Sequence, residues 1–126
     1  MDADKILGDS VADGLIKVSG ARAELERLLS DPRLRCTDPQ RRFLRFVSEE
    51  LFRGRHAELT PHAIAVRIFN RTPSFDPATD PIVRIEAARL RMSLSRFYEL
   101  HGRSHEIQID LPSGSYFPRF TKVAVE

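Results

Sequence analysis

"TDPIVRIEAARLRMSLSRFY", residues 79–98, decides how the rest of the chain is read. Four arginines and Glu86 stand among regularly spaced apolar residues. At about 100° per residue these sort into two faces. Val83, Ala87, Leu90, Leu94 and Phe97 fall on one stripe, with Tyr98 at its edge. Ile85, Ala88, Arg89, Met92 and Arg96 fall opposite, flanked by Arg84 and Arg91. The spacing predicts a helix from Pro81 to about Gly102 that buries its aliphatic side and turns its guanidiniums outward. Such a helix fits the major groove of B-form DNA, where the planar fork of arginine can grip a guanine edge with two hydrogen bonds. The alternative is a solvated face whose arginines pair with Glu86 and Glu99.

Working outward, a capping residue followed by proline occurs at Asp38-Pro39, Thr60-Pro61 and Asp80-Pro81. Each predicts a helix start, because the polar side chain accepts an orphan N–H and proline suits the first helical position. The first opens "DPQRRFLRFVSEELFRG" (38–54), with Phe43, Leu44, Val47 and Leu51 inward and Gly54 as the stop. The second opens "TPHAIAVRIFN" (60–70), with Ala63, Ile64 and Ile68 inward. Upstream, "SGARAELERLLSDP" (19–32) predicts a helix capped by Ser19, striped by Leu25, Leu28 and Leu29 and ended by Pro32. "NRTPSFDPATD" (70–80) is a loop by composition. In "HEIQIDLPSGSYFPRF" (105–120) the period changes to two: Ile107, Ile109 and Leu111 alternate with polar residues. "PSGS" supplies a turn and Tyr116 to Phe120 a return strand, while "AEL" (57–59) can add a short third strand. Helix, short strand, helix, loop, long helix, hairpin is the order of a winged helix-turn-helix. The expected fold is therefore mainly α with a small β-hairpin wing, preceded by an extra N-terminal helix. Residues 1–18, acidic and interrupted by Gly8 and Gly14, are expected to be a weakly ordered leader. The domain is expected over 19–126, with its core in 37–120.

Composition agrees with one globular domain: 126 residues, 41% hydrophobic and 30% charged. No apolar run has the length of a membrane span, and the N-terminus lacks a signal peptide's basic start and apolar core. The single cysteine, Cys36, has no internal disulfide partner, which fits a reducing, cytoplasmic setting. Residues 1–20 sum to −2, residues 21–79 to +3 and the remainder to +1. Seventeen of the twenty Lys and Arg residues are arginine, the side chain suited to phosphates and guanine. No phosphate loop, zinc spacing or nucleophile elbow occurs, so neither enzyme activity nor a cofactor or metal is expected. His101 and His105 are four apart, but Gly102 falls between them and no third ligand is near. Tyr116, Phe117 and Phe120 could stack on single-stranded bases, yet at alternating positions beside a hairpin Phe117 reads better as a core plug. Asp76 and Asp80 suit turn and cap roles among their prolines.

"FLRFVSEELFRG" (43–54), "FDPATDPIVRIEAARLRMSL" (75–94) and "IQIDLPSGSYFPRF" (107–120) together resemble OmpR/PhoB-type winged helices. More closely, residues 21–120 resemble a bacterial winged-helix module found at the N-terminus of longer proteins described as adenylate cyclases or TPR-containing regulators. The resemblance implies a sequence-specific, double-stranded DNA-binding transcription regulator. Helix 81–101 would lie in the major groove, with wing 105–120 on the backbone or minor groove. It places Ile85 and Arg89 at bases, Arg91 at phosphate, and loop 71–79 where some relatives touch RNA polymerase. The wheel reading chooses the same face: Ile85, Ala88, Arg89 and Met92 for bases, Arg84, Arg91 and Arg96 for phosphates. Thr60, His62, Arg71, Ser113 and Ser115 complete the expected phosphate set. A module this small suggests a homodimer on repeated half-sites, nucleoid-associated in the cytoplasm. Two departures stand out: Met92 replaces a usual base in the helix, and Ser113 a usual lysine in the wing. They motivate an alternative, a protein–protein interaction module that keeps the fold and has lost DNA. No four-stranded sheet precedes residue 37. The helix at 20–30 takes that place, either covering the core or serving dimerisation. No cyclase or TPR segment is recognisable in these residues, so no enzymatic activity carries over.

Overall fold

In a computed structural model, the described residues are 7, 15–55 and 59–124. Among them, four helices precede a two-stranded antiparallel hairpin: α1 (Val18–Leu29), α2 (Asp38–Phe52), α3 (Pro61–Ile68), α4 (Ile82–His101), β1 (Ile107–Asp110) and β2 (Arg119–Lys122). A short 3-10 turn, Gly102–Ser104, joins α4 to the hairpin.

Helix α1 starts before the predicted Ser19 cap. Its N-cap position is Lys17, with no side-chain capping bond. Burial fixes this start instead, because Ile16 and Val18 both enter the core. Leu7 also packs against that core and donates its N–H to the Ile16 carbonyl (2.8 Å). The folded unit therefore begins before residue 19; the other expected leader residues up to 14 lie outside the described ones. Helix α1 ends at Leu29, ahead of Pro32, and buries Ala21, Leu25 and Leu28 completely, while Leu29 is half-buried. It covers the core shared by the other elements, so the core extends N-terminal of residue 37.

The cap of α2 is Thr37, one residue before the expected Asp38. Its hydroxyl accepts the Gln40 N–H (3.2 Å), and Gln40 Oε1 accepts the Thr37 N–H (3.0 Å). This reciprocal box satisfies two orphan donors, which a lone Asp38 would not. Phe43, Leu44 and Val47 are fully buried; Leu51 is half-buried and Phe52 takes the inward place beside it. Gly54 leaves the helix at φ 71, the left-handed region glycine enters without strain. In α3 the Thr60 hydroxyl accepts the Ala63 N–H (3.0 Å), as its Thr-Pro start predicts. Ile64, Ala65 and Ile68 are buried, and Ala63 is half-buried. For the short strand expected at 57–59, Ala57 and Glu58 lie outside the described residues, and Leu59 is buried.

Helix α4 begins at Ile82, with Pro81 in the cap position. Asp80 sits one residue earlier and still serves the helix start, its Oδ1 accepting the Ile82 N–H (3.2 Å). The hairpin register pairs Ile109 with Phe120 and Asp110 with Arg119. The return strand is thus 119–122, not 116–120. Tyr116 and Phe117 fall in the connection, where they pack half-buried against the core, and Gly114 supplies the turn at φ 83. Phe43 meets Phe69 edge-on (5.7 Å between centroids) and Phe52 meets Phe120 (5.4 Å), joining α2 to α3 and to the hairpin.

Candidate nucleic-acid interface

The stripe Val83, Ala87, Leu90, Leu94 and Phe97 is at most 2% exposed. Burying side chains such as Leu90 and Leu94 is worth about 1.5–3 kcal/mol each, which fixes the rotation of α4 about its axis. The opposite face is thereby forced outward. It shows Ile85 at 41%, Met92 at 71% and Leu100 at 65% exposed, three of the four large exposed hydrophobics among the described residues. Ala88, Arg89 and Arg96 are exposed beside them.

Arg89 does not stand free. Its Nη1 donates to Glu86 Oε2 (3.0 Å), while the other oxygen of Glu86 accepts from Gln40 Nε2 (2.7 Å). A relay thus runs from the α2 cap through Gln40 and Glu86 to Arg89. It sets the direction of the guanidinium and offsets part of its charge.

The two flanks of this face differ. On one, Arg91 donates through Nε to the Leu111 carbonyl and ties α4 to the hairpin, so this edge of its fork is occupied. Arg84, on the same flank, is exposed, and its guanidinium makes no hydrogen bond or ion pair among the described residues. Ser113 is exposed at the hairpin tip, whereas Ser115 turns inward to accept the Phe117 N–H (3.0 Å). On the other flank runs the α1–α2 connector, residues 30–37. Ser93 donates its hydroxyl proton to the Arg35 carbonyl (2.7 Å), and Arg41 donates to the carbonyls of Leu29 and Leu34 (both 2.6 Å). Arg33 grips Asp31 (2.8 Å) and also donates to His101 Nδ1 (3.4 Å). The side-chain hydrogen bond from Arg33 holds the Asp31 carboxyl well below the usual range.

The remaining expected phosphate contacts belong to α3 and the loop after it. Thr60 is the α3 cap. His62 donates from Nε2 to the Pro73 carbonyl (2.8 Å), with its ring near Phe75. Arg71 is committed to Asp80 (2.6 Å) and to the Phe69 carbonyl (3.2 Å). These bonds order loop 71–79. They do not join Thr60, His62 or Arg71 to the α4 face.

A buried polar node escaped the sequence reading. Glu24, 5% exposed in α1, accepts the Tyr98 hydroxyl proton and the His105 Nδ1–H, each at 2.7 Å. Burial first, and then the Glu24 charge, push the Tyr98 phenol far above its ordinary value. His105 is 1% exposed, so it serves this node and not a metal pair with His101. Among the described residues, no group of three or more His, Cys, Asp or Glu is placed to hold a metal ion. No helix there is long and apolar enough to cross a membrane. Comparison with protein-family models, with curated proteins and with solved structures gives no match.

Proposed function

We propose that this chain is a sequence-specific, double-stranded DNA-binding transcription regulator with a winged helix-turn-helix fold. The observation that carries the reading is the two-sided α4. One side is locked into the core, and the other presents Ile85, Ala88, Arg89, Met92 and Arg96 beside a hairpin fastened through Arg91. The resemblance to OmpR/PhoB-type winged helices supports the same assignment of α4 to the major groove. Arg89, directed by Glu86, reads a guanine; Ile85 and Met92 meet base edges or a thymine methyl. Arg84 and Arg96 hold phosphates, and the hairpin tip at Ser113 rides on the backbone. Two copies bind repeated half-sites, and the ordered loop 71–79 is the candidate contact for RNA polymerase. Six to eight phosphate contacts in a dimer give a log–log salt slope of about −5 to −7.

Arg89→Ala tests the assignment on duplexes enriched by selection from a random pool. Specific binding is expected to fall about 10- to 100-fold, the worth of one bidentate base contact, while non-specific binding changes little. A variant that still discriminates as the wild type does removes α4 from the groove. One observation favours a second reading, a protein-interaction module: Met92 and Leu100 are the most exposed large hydrophobics on the chain's described surface. That reading predicts no shift of any duplex at about 50 mM salt.

A further inference from the structure

We propose that the α1–α2 connector, residues 30–37, is a phosphate-binding ledge. With Arg35 and Arg96 it grips the DNA strand on the side of α4 away from the hairpin. This deepens the DNA-binding reading and rests on it.

The major groove is walled by two phosphate backbones about 12 Å apart, so a helix lying in it meets one strand on each flank. At about 100° per residue, Arg84 and Arg91 lean toward the hairpin, whereas Arg89 and Arg96 lean the opposite way, on the side of Ser93 and the connector. The hairpin serves the first strand. On the second flank the connector is the neighbouring segment, and between it and α4 lies an open groove of about 930 Å³. Arg33, Arg35, Arg89 and Arg96 line it, and no carboxylate does. Arg33 is taken by Asp31 and Arg89 by Glu86. Arg35 and Arg96 are both exposed, and neither guanidinium makes a hydrogen bond or ion pair among the described residues. With Arg89 directed at the bases, they are the cations left for a phosphate.

The ledge is built before anything binds. Leu34 is 1% exposed and pins the connector to the core. The Arg35 carbonyl is held by Ser93, and the Leu29 and Leu34 carbonyls by Arg41. A guanidinium on so fixed a backbone loses little chain entropy when it meets a phosphate. An acidic amphipathic peptide is the rival occupant, drawn by the same cations and by Met92 and Leu100. It would use one flank of α4 only. Uncommitted arginines on both flanks, Arg84 on one and Arg35 with Arg96 on the other, match two strands.

The test is the salt dependence of binding to a labelled mixed-sequence duplex between about 50 and 200 mM salt. Wild type, Arg35→Gln, Arg35→Lys and Arg84→Gln are compared. Arg35→Gln is expected to lower the log–log slope by about 0.9 per bound copy and to weaken all duplexes alike. Arg35→Lys restores the slope, since it keeps the charge. The Arg35 side chain holds nothing in place, so all variants melt as the wild type does. If Arg35→Gln keeps the wild-type slope while Arg84→Gln lowers it, the ledge is overturned and the groove assignment of α4 survives. If the wild type shifts no duplex at about 50 mM salt, both are overturned, and saturable binding of a labelled acidic amphipathic peptide then assigns the groove to a protein partner.

Discussion

In α1, Arg22 donates to both carboxylate oxygens of Glu49 (3.2 and 2.8 Å), and Arg27 to the carbonyl and hydroxyl of Ser104 (3.1 and 2.9 Å). In α4, Arg84 and Arg96 reach into solvent with no such partner among the described residues. Both helices are amphipathic and rich in arginine. The difference lies in what faces them: α2 and the 102–104 turn bring acceptors to α1, whereas no described residue covers the outer side of α4. A guanidinium that clasps two elements holds the fold together, and one left open is available for a ligand. The relay through Glu86 makes Arg89 an intermediate case, neutralised in part and aimed at the same time.

The strongest way to break this contrast is to cut the clasp of α1 at its buried end. Glu24→Ala leaves the Tyr98 hydroxyl and the His105 N–H without an acceptor in the core, and is expected to cost about 3 kcal/mol in urea unfolding. A loss below about 1 kcal/mol would mean that α1 is not anchored there. Next in size, Thr37→Ala removes the α2 capping box and is expected to cost about 1 kcal/mol on the same measurement. Glu86→Gln turns Arg89 into an uncommitted cation like Arg84. Non-specific duplex binding, read by anisotropy, should then tighten about threefold, the worth of a weak exposed ion pair. Unchanged affinity would place Arg89 outside the phosphate field. The smallest effect belongs to the exposed Arg45–Glu26 pair between α2 and α1. Arg45→Ala should cost about 0.2–1 kcal/mol, less at high salt. The hydrogen bond from Arg45 holds the Glu26 carboxyl below its ordinary 4.5. Its contribution is therefore present above that value and disappears as pH falls through the lowered folded-state value. The stability difference between wild type and Arg45→Ala should close on acidification, and a difference that stayed constant would rule the pair out as its source.

Much of the architecture was legible because periodicity is a local signal. The α4 stripe from Val83 to Phe97, the Thr60 cap and the Gly54 stop all follow from residues within a few positions of one another. The errors have equally local or equally distant causes. "TDPQ" carries a capping box whose two halves are Thr37 and Gln40, and the Asp-Pro pair drew attention one residue too far along. Asp80 stands one residue before the α4 cap position, because the first bond of the helix runs from the Ile85 N–H to the Pro81 carbonyl. The return strand slid because "PSGS" marks the tip of the connection, while the ladder is set by Ile109 meeting Phe120 from the other strand. Within the candidate site, the outward residues of α4 were readable from the wheel, but their partners were not. Glu24 looks like any solvated helical glutamate until residues 74 and 81 positions later close around it. Residues 33–37 carry no periodic signal after Pro32, and only the fold brings Arg35 alongside Ser93.

The Glu24 node has a practical corollary for anyone trimming the chain. A fragment starting near residue 37, where sequence patterning first suggests a minimal unit, would strip the acceptor from Tyr98 and His105. It would also open the greasy trough now filled by Ala21, Leu25 and Leu28. Such a truncation should come out insoluble or molten, and the shortest well-behaved fragment should keep Ile16.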